Sequence, residues 1–245
     1  MRLLRQYGQL VLLGLRQNRD EVAFIGVIQL VITFGFVVGF GYFIHNVSER
    51  QALFLTTGTA TNTLVTVALV GLPQVLSQSK AQGRLDYLLS LPINRELYLA
   101  AQVTYVMITA LPGVLFALVF GAWHYDLSLS VDPMVVAVMP LSMLSLAGVG
   151  VAIGILSPHP NVTNAFSNLA IFYVLLFAPI LIPKEQLPAL LRHIATVLPT
   201  TYAADAMRGA LTDLPGTHLG RSMAAMAGFT VVSLAASAVS VRRRG

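Results

Sequence analysis

Charge is distributed along this chain in a way that divides it. Charge-free stretches run from Val22 to Ser48, Gln51 to Ser79, Leu97 to Tyr125, Pro133 to Pro183 and Ser222 to Val241, and the charged residues fall between them. A helix needs about 20 apolar residues to cross the hydrocarbon core of a bilayer, so each stretch can span once and the fourth can span twice. Its break is "SPHPN", Ser157 to Asn161, where two prolines beside a serine and an asparagine end one helix and begin another. The pattern predicts six transmembrane helices at 22–45, 53–77, 97–121, 133–156, 162–182 and 221–241. A closed β-barrel also satisfies every backbone group in lipid, but its strands alternate over about 10 residues. "VMITALPGVLFALVF" does not alternate. The expectation is an all-α polytopic membrane protein, with residues 1–245 forming a single transmembrane domain.

Composition agrees: 56% of the 245 residues are hydrophobic and 10% are charged, against roughly 25% charged in a soluble domain. Cysteine is absent, which removes disulfides, thiolate metal sites and thiol nucleophiles together. The pI of 9.8 raises nucleic acid as a partner, but the basic residues sit at helix ends and termini, where they orient spans. Membrane lipid, and no nucleic acid, is the expected partner. With the N-terminus inside, Arg2, Arg5, Arg16, Arg19, Lys80, Arg84, Arg95, Arg242, Arg243 and Arg244 face the cytoplasm, against Arg50, Lys184, Arg192, Arg208 and Arg221 outside. That excess follows the positive-inside rule and predicts an inner (cytoplasmic) membrane protein with both termini cytoplasmic.

The first 20 residues begin with arginine and contain "LVLLGL", but "RQNRDE" follows where a signal peptide would place small residues for cleavage. Arg2, Arg5, Gln6, Gln9 and Arg16 fall near one helical face, and Leu3, Tyr7, Leu10, Val11 and Leu15 cluster on another. This describes an interfacial helix over 1–20 with its basic side toward anionic lipid.

The expected spans hold no Asp, Glu, Lys or Arg away from their ends, which argues against a proton- or ion-coupled transporter, since such proteins keep ionisable groups in the bilayer where they do work. Lys80 is followed by Ala81 and Lys184 by Glu185, so neither lysine completes a phosphate-cradling G-x-x-x-x-G-K-[ST]. His45, His124, His159, His193 and His218 are scattered over different loops, with no H-E-x-x-H and no G-x-S-x-G. The residues an intramembrane enzyme would need are missing, and no metal site is expected.

Hydroxyls and amides are what the spans do contain. "TTGTATNTLVT" places Thr56, Thr59, Asn62, Thr63 and Thr66 near one face of the second span, and "NVTNAFSN" puts Asn161, Asn164 and Asn168 on a stripe of the fifth. Two roles stay open: hydrogen bonding between packed helices, or lining a route for an amphiphile. Between the fifth and sixth spans, residues 184–212 are too polar to span and read as two short outer helices, Leu187–Val197 and, after Pro199, Tyr202–Leu211.

The last distinctive segment is "SKAQGRLDYLLSLPINRE", charged and leucine-rich, between the second and third spans. Leu85, Leu88 and Leu89 share a helical face that suits a groove in a soluble partner, with Arg84 and Asp86 available to orient it. Pro92 ends the helix and Asn94 is placed to cap the next span.

This order of elements resembles the type-2 ABC exporter permeases, the transmembrane subunits of ABCG-like exporters. The loop after span two is similar to that family's G-T-L-E-x-L-L-x-x-P, with Gly83, Leu85, Asp86, Leu88, Leu89 and Pro92 in place and Arg95 following. Arg84 replaces the usual Thr, and Ser79, Lys80, Ala81 and Gln82 stand where an acidic pair often precedes the glycine. "LPTTYAADAMRGAL" is similar to the motif before the last span, through Leu198, Pro199, Tyr202 and Arg208. The resemblance implies a non-catalytic transport subunit with a coupling helix over 79–95. It implies an ABC-type ATPase on another chain that brings ATP and Mg, no cofactor on this chain, and a second permease, identical or paralogous. Export of a drug, lipid or glycan-lipid is the implied activity. The haem permease of cytochrome c maturation is of similar size, which would make His45 and His124 candidate ligands; a non-transporting scaffold or immunity protein is the alternative of a different class.

Overall fold

The computed structural model describes residues 2–17, 19–43, 47–84, 95–181, 188–212, 214 and 218–242. Among the described residues there are helices and no strands. Helix α1 is Arg2–Gln17, and α2 (Arg19–Phe34) passes through a π-helical turn, Gly35–Gly39, into α3 (Phe40–Phe43). Next come α4 (Glu49–Thr66), a second π-helical turn at Val67–Gly71, and α5 (Leu72–Ala81). The remaining helices are α6 (Arg95–His124), α7 (Val135–Leu156), α8 (Pro160–Phe177), α9 (Ala189–Ala195), α10 (Pro199–Leu211) and α11 (Leu219–Arg242).

Among the described residues, three helices are long and apolar enough to cross a membrane: Glu49–Ala81, Glu96–His124 and Val135–Leu156. Ile25–Gly39 and Leu219–Ala235 are shorter apolar helices. The α4–α5 helix exceeds the expected 53–77 because Ser48 and Gln51 form a capping box that starts it at Glu49. The fifth expected span, 162–182, leaves helical geometry after Phe177. Pro199 was expected to separate the outer helices; instead it opens α10, where its missing N–H costs nothing.

Helix α7 is the centre of the bundle. It packs most extensively against α11, and its other sides meet α5, α10, the second π turn and α8. In lipid, where tails are as apolar as leucine, close packing and hydrogen bonds drive helix association. Both are present here. "GVAIG" brings Gly150 and Gly154 against the backbone of the neighbouring helix, at the carbonyls of Ala68 and Pro73, so closely that a Cβ at Gly150 would lie 2.2 Å from the Ala68 oxygen. On the opposite side the Gly148 N–H donates to Ser233 Oγ at 2.5 Å, and that hydroxyl donates to the Leu144 carbonyl at 2.9 Å.

Helix α1 lies along α6. Val11 is buried, Gly14 accommodates the Tyr105 ring, and the Tyr7 and Thr104 hydroxyls share a hydrogen bond of 2.5 Å. Leu3, Leu4, Leu12 and Leu13 remain exposed, so the helix keeps an apolar surface beyond the one it buries.

Candidate functional site

The end of α5 leads into the charged segment. The Gln82 N–H donates to the Gln78 carbonyl and the Gly83 N–H to that of Lys80, each at 3.0 Å. Gly83 has φ of +69°, the left-handed conformation that commonly ends helices and that glycine adopts without penalty. Ser79 to Ala81 therefore belong to α5, not to a separate helix starting at Ser79 as the sequence suggested. Gly83 makes the break. Arg84 is partly buried; Leu85, Asp86, Leu88, Leu89 and Pro92 lie outside the described residues, and Arg95 opens α6.

Two side chains tie this end of α5 to its neighbours. Lys80 Nζ donates to the Ser157 carbonyl at 2.7 Å and reaches the Ile155 carbonyl at 3.4 Å. These carbonyls belong to the last turn and cap of α7, where unpaired oxygens and the negative end of the helix dipole favour a cation. One turn earlier on α5, Ser77 Oγ accepts from Thr163 Oγ1 at 2.8 Å, which fixes α5 to the first turn of α8. Residues 77–80 thus hold both sides of the "SPHPN" junction. Ser77, Thr163 and the Ser157 carbonyl carried no signal in the sequence, since each pairing joins residues more than 70 positions apart.

The other end of the bundle is organised by Arg208. Its side chain on α10 is 1% exposed, although sequence counting placed it among the outer loop charges. It forms an ion pair with Asp205 at 3.2 Å, donates to the carbonyls of Pro179 and Ile180, and stands 4.0 Å from the centre of the Phe54 ring. The guanidinium suits this place because it presents several donors in one plane and stacks on an aromatic face. It pins the segment after α8 to α4 and α10. Gly58 completes the joint: any Cβ there would strike the Ile180 carbonyl. Pro199 is the first residue of α10, and the Tyr202 hydroxyl donates to the Thr196 carbonyl at 2.7 Å, closing the turn after α9. Asp205, Phe54 and Ile180 are partners that the motif alone did not indicate.

Tyr125, just past α6, donates to the Val37 carbonyl at 2.5 Å inside the first π turn. A π turn disturbs the regular helical pairing, and the phenol supplies a donor there. Burial pushes the Tyr125 pKa above its ordinary value of 10.0, so the hydroxyl keeps its proton. His124 is exposed and stacks on Phe120 at 5.7 Å; His45 lies outside the described residues. No cluster of three metal-ligating side chains occurs among the described residues.

Four threonine hydroxyls of α4 have partners on their own helix. Thr57, Thr59, Thr61 and Thr63 each donate to the carbonyl four residues earlier, at 2.6, 2.7, 2.8 and 3.0 Å. These threonines satisfy themselves on their own helix. Thr56 and Thr59 are buried, and Thr66 is partly exposed beside Asn62 and Thr63 on the side of α4 that faces α2. On α8 the inward positions are Thr163 and Ser167, while Asn161, Asn164 and Asn168 are exposed. The structure therefore does not bring the two asparagine-bearing stripes together within one chain.

The comparison with known proteins is decided by extent. The profile of the family described as ABC-2 type transporter matches residues 11–212, which runs from α1 through α10 and takes in both end structures just described. The chain belongs to the ABC-2 type transporter family. Nodulation protein J of Rhizobium meliloti (strain 1021) is 26% identical over 107 residues, a match covering 44% of this chain and 41% of that protein. Less than half of that relative's length is therefore matched. Membership in the ABC-2 family agrees with the long apolar helices among the described residues.

Proposed function

We propose that this chain is the non-catalytic transmembrane subunit of an ATP-driven ABC exporter that moves a hydrophobic or amphiphilic substrate, with ATP and Mg held by a separate ATPase subunit. The observation that carries this is the ABC-2 family match over residues 11–212, joined to a sequence in which neither Lys80 nor Lys184 completes a P-loop. Six spans in the inner membrane, with cytoplasmic termini, complete the arrangement.

In this proposal the part of residues 79–95 that follows the break at Gly83 docks on the ATPase. Movement there is delivered to the end of α5, where the Lys80–Ser157 and Ser77–Thr163 bonds hand it to α7 and α8 together. A second permease covers part of the apolar surface. The exposed face of α8, with Asn164, Asn168, Phe166, Leu169 and Phe172, is available to such a copy or to lipid.

Co-purification of the ABC-type ATPase with wild-type chain and with Leu88→Asp tests the proposal. A charge in the leucine face should abolish recovery of the ATPase while leaving membrane insertion intact. Undiminished recovery with Leu88→Asp would remove residues 79–95 from the interface.

A further inference from the structure

Two π-helical turns, Gly35–Gly39 and Val67–Gly71, flank one small cavity between α2 and α4. Its volume is about 40 Å³, and its walls include Gln29, Thr33, Phe36, Asn62, Thr63 and Val67. That is room for a hydroxyl-sized group or a very few waters. Single π turns inside helices recur at functional sites; here the first contributes Phe36 and the second Val67 to the cavity walls.

The polar atoms at this site are of two kinds. The Thr59 and Thr63 hydroxyls are already committed to carbonyls of their own helix. The amides are not: Asn62 Oδ1 and both Gln29 Oε1 and Nε2 are buried without a hydrogen-bond partner. Asn62 is 5% exposed. Buried polar groups are almost always paired, so exceptions call for an explanation such as a ligand. Together the amides offer acceptors and a donor, which is the complement of a hydroxyl. The described walls carry no charged side chain, and a charged head would enter with nothing to neutralise it. Ile32, Phe36 and Val67 supply the apolar flank.

We propose that Gln29 and Asn62 form a subsite for the neutral hydroxyl of an amphiphile, held between α2 and α4 with its apolar chain along Ile32, Phe36 and Val67. The inference deepens the permease proposal by naming the substrate head chemistry, and its test is independent of transport and of any ATPase.

The experiment uses the full chain in phosphatidylcholine nanodiscs and a photoreactive eight-carbon alcohol, with labelled positions mapped by mass spectrometry. Saturable labelling should fall on residues 29–36 or 62–67. 1-Octanol should compete and octane should not, by at least about tenfold, the ratio that about 1.4 kcal/mol of hydrogen bonding supplies. The double variant Gln29→Leu, Asn62→Leu should lose this labelling while melting no lower than wild type, because it exchanges unpaired buried amides for apolar groups. Equal competition by octane, absence of labelling at these positions, or retained labelling in the double variant would overturn the subsite. A lower melting temperature in that variant would also overturn it, by showing the amides to be structural. Any of these results would leave docking of the ATPase on residues 79–95 untouched.

Discussion

Lys80 Nζ stands 2.7 Å from the carbonyl oxygen of Ser157, so the last charged residue of α5 caps the C-terminus of α7. A cation at a helix C-terminus contributes about 0.3–1 kcal/mol when exposed and up to about 2 kcal/mol when partly buried. Lys80 is partly buried. Lys80→Met is expected to destabilise the detergent-solubilised protein by about 1 kcal/mol, read as a lower melting temperature, with Lys80→Arg close to wild type. If Lys80 also relays movement, Lys80→Met will retain ATPase binding and lose transport per ATP hydrolysed.

Arg208 is expected to matter more. Removing one partner of a fully buried ion pair costs about 3–5 kcal/mol; here Arg208 is buried and Asp205 is partly exposed, so the loss is expected at or below the lower end of that range. Here Arg208→Ala also abandons the Pro179 and Ile180 carbonyls. Arg208→Lys should not rescue it, since an ammonium cannot reproduce the planar fork or the stacking on Phe54. Size-exclusion chromatography of fluorescently tagged variants should show aggregation for both; a monodisperse Arg208→Ala profile at wild-type yield would contradict the pin.

The α7 packing is tested by comparing two glycines of similar helical setting. Gly150→Ala places a methyl 2.2 Å from the Ala68 carbonyl, whereas a Cβ at Gly228 meets nothing within 4 Å. Overpacking costs about 1–3 kcal/mol, and alanine gains about 1 kcal/mol of helix propensity. Gly150→Ala should melt lower than wild type and Gly228→Ala equal or higher.

How much of this was legible in the chain depends on the range of the interaction. The helical class and three long apolar helices among the described residues followed from charge-free runs and proline breaks, because each span must satisfy its own backbone in lipid. The two ends of the bundle were signalled as motifs, at Gly83 and at Pro199, Tyr202 and Arg208. Their partners were not. Ser157, Thr163, Phe54 and Ile180 are ordinary residues whose importance comes from tertiary placement, and Gln29 is one amide in "IGVIQLVITF" with no periodicity to distinguish it. Arg208 was counted as an outer charge because it lies between the fifth and sixth expected spans, yet α10 folds it inward. Nor does the local sequence show that four α4 threonines bond carbonyls of their own helix.

Tyr125 gives a pH prediction. Its folded pKa is raised by burial, so the unfolded chain ionises first, from about pH 10 upward. The folded state then binds more protons than the unfolded one, and stability falls as pH rises through and above that value. The contribution is fully present below pH 10. Tyr125→Phe should lower stability at neutral pH by about 1 kcal/mol through loss of the bond to Val37, and should show a shallower decline than wild type in melting temperature above pH 10. Identical declines would exclude Tyr125 as a source of the alkaline sensitivity.

The central claim is that this ABC-2 chain receives its energy from another protein through residues 79–95. The most direct measurement is site-specific photocrosslinking in cells from a photoreactive amino acid at Leu85, on the leucine face, with a control at exposed Trp123. The account predicts a crosslink from position 85 to a protein carrying an ABC-type P-loop, none from position 123, and loss of the former with Leu88→Asp. Position 85 crosslinking only to lipid, or to the same ATPase after Leu88→Asp, would contradict it.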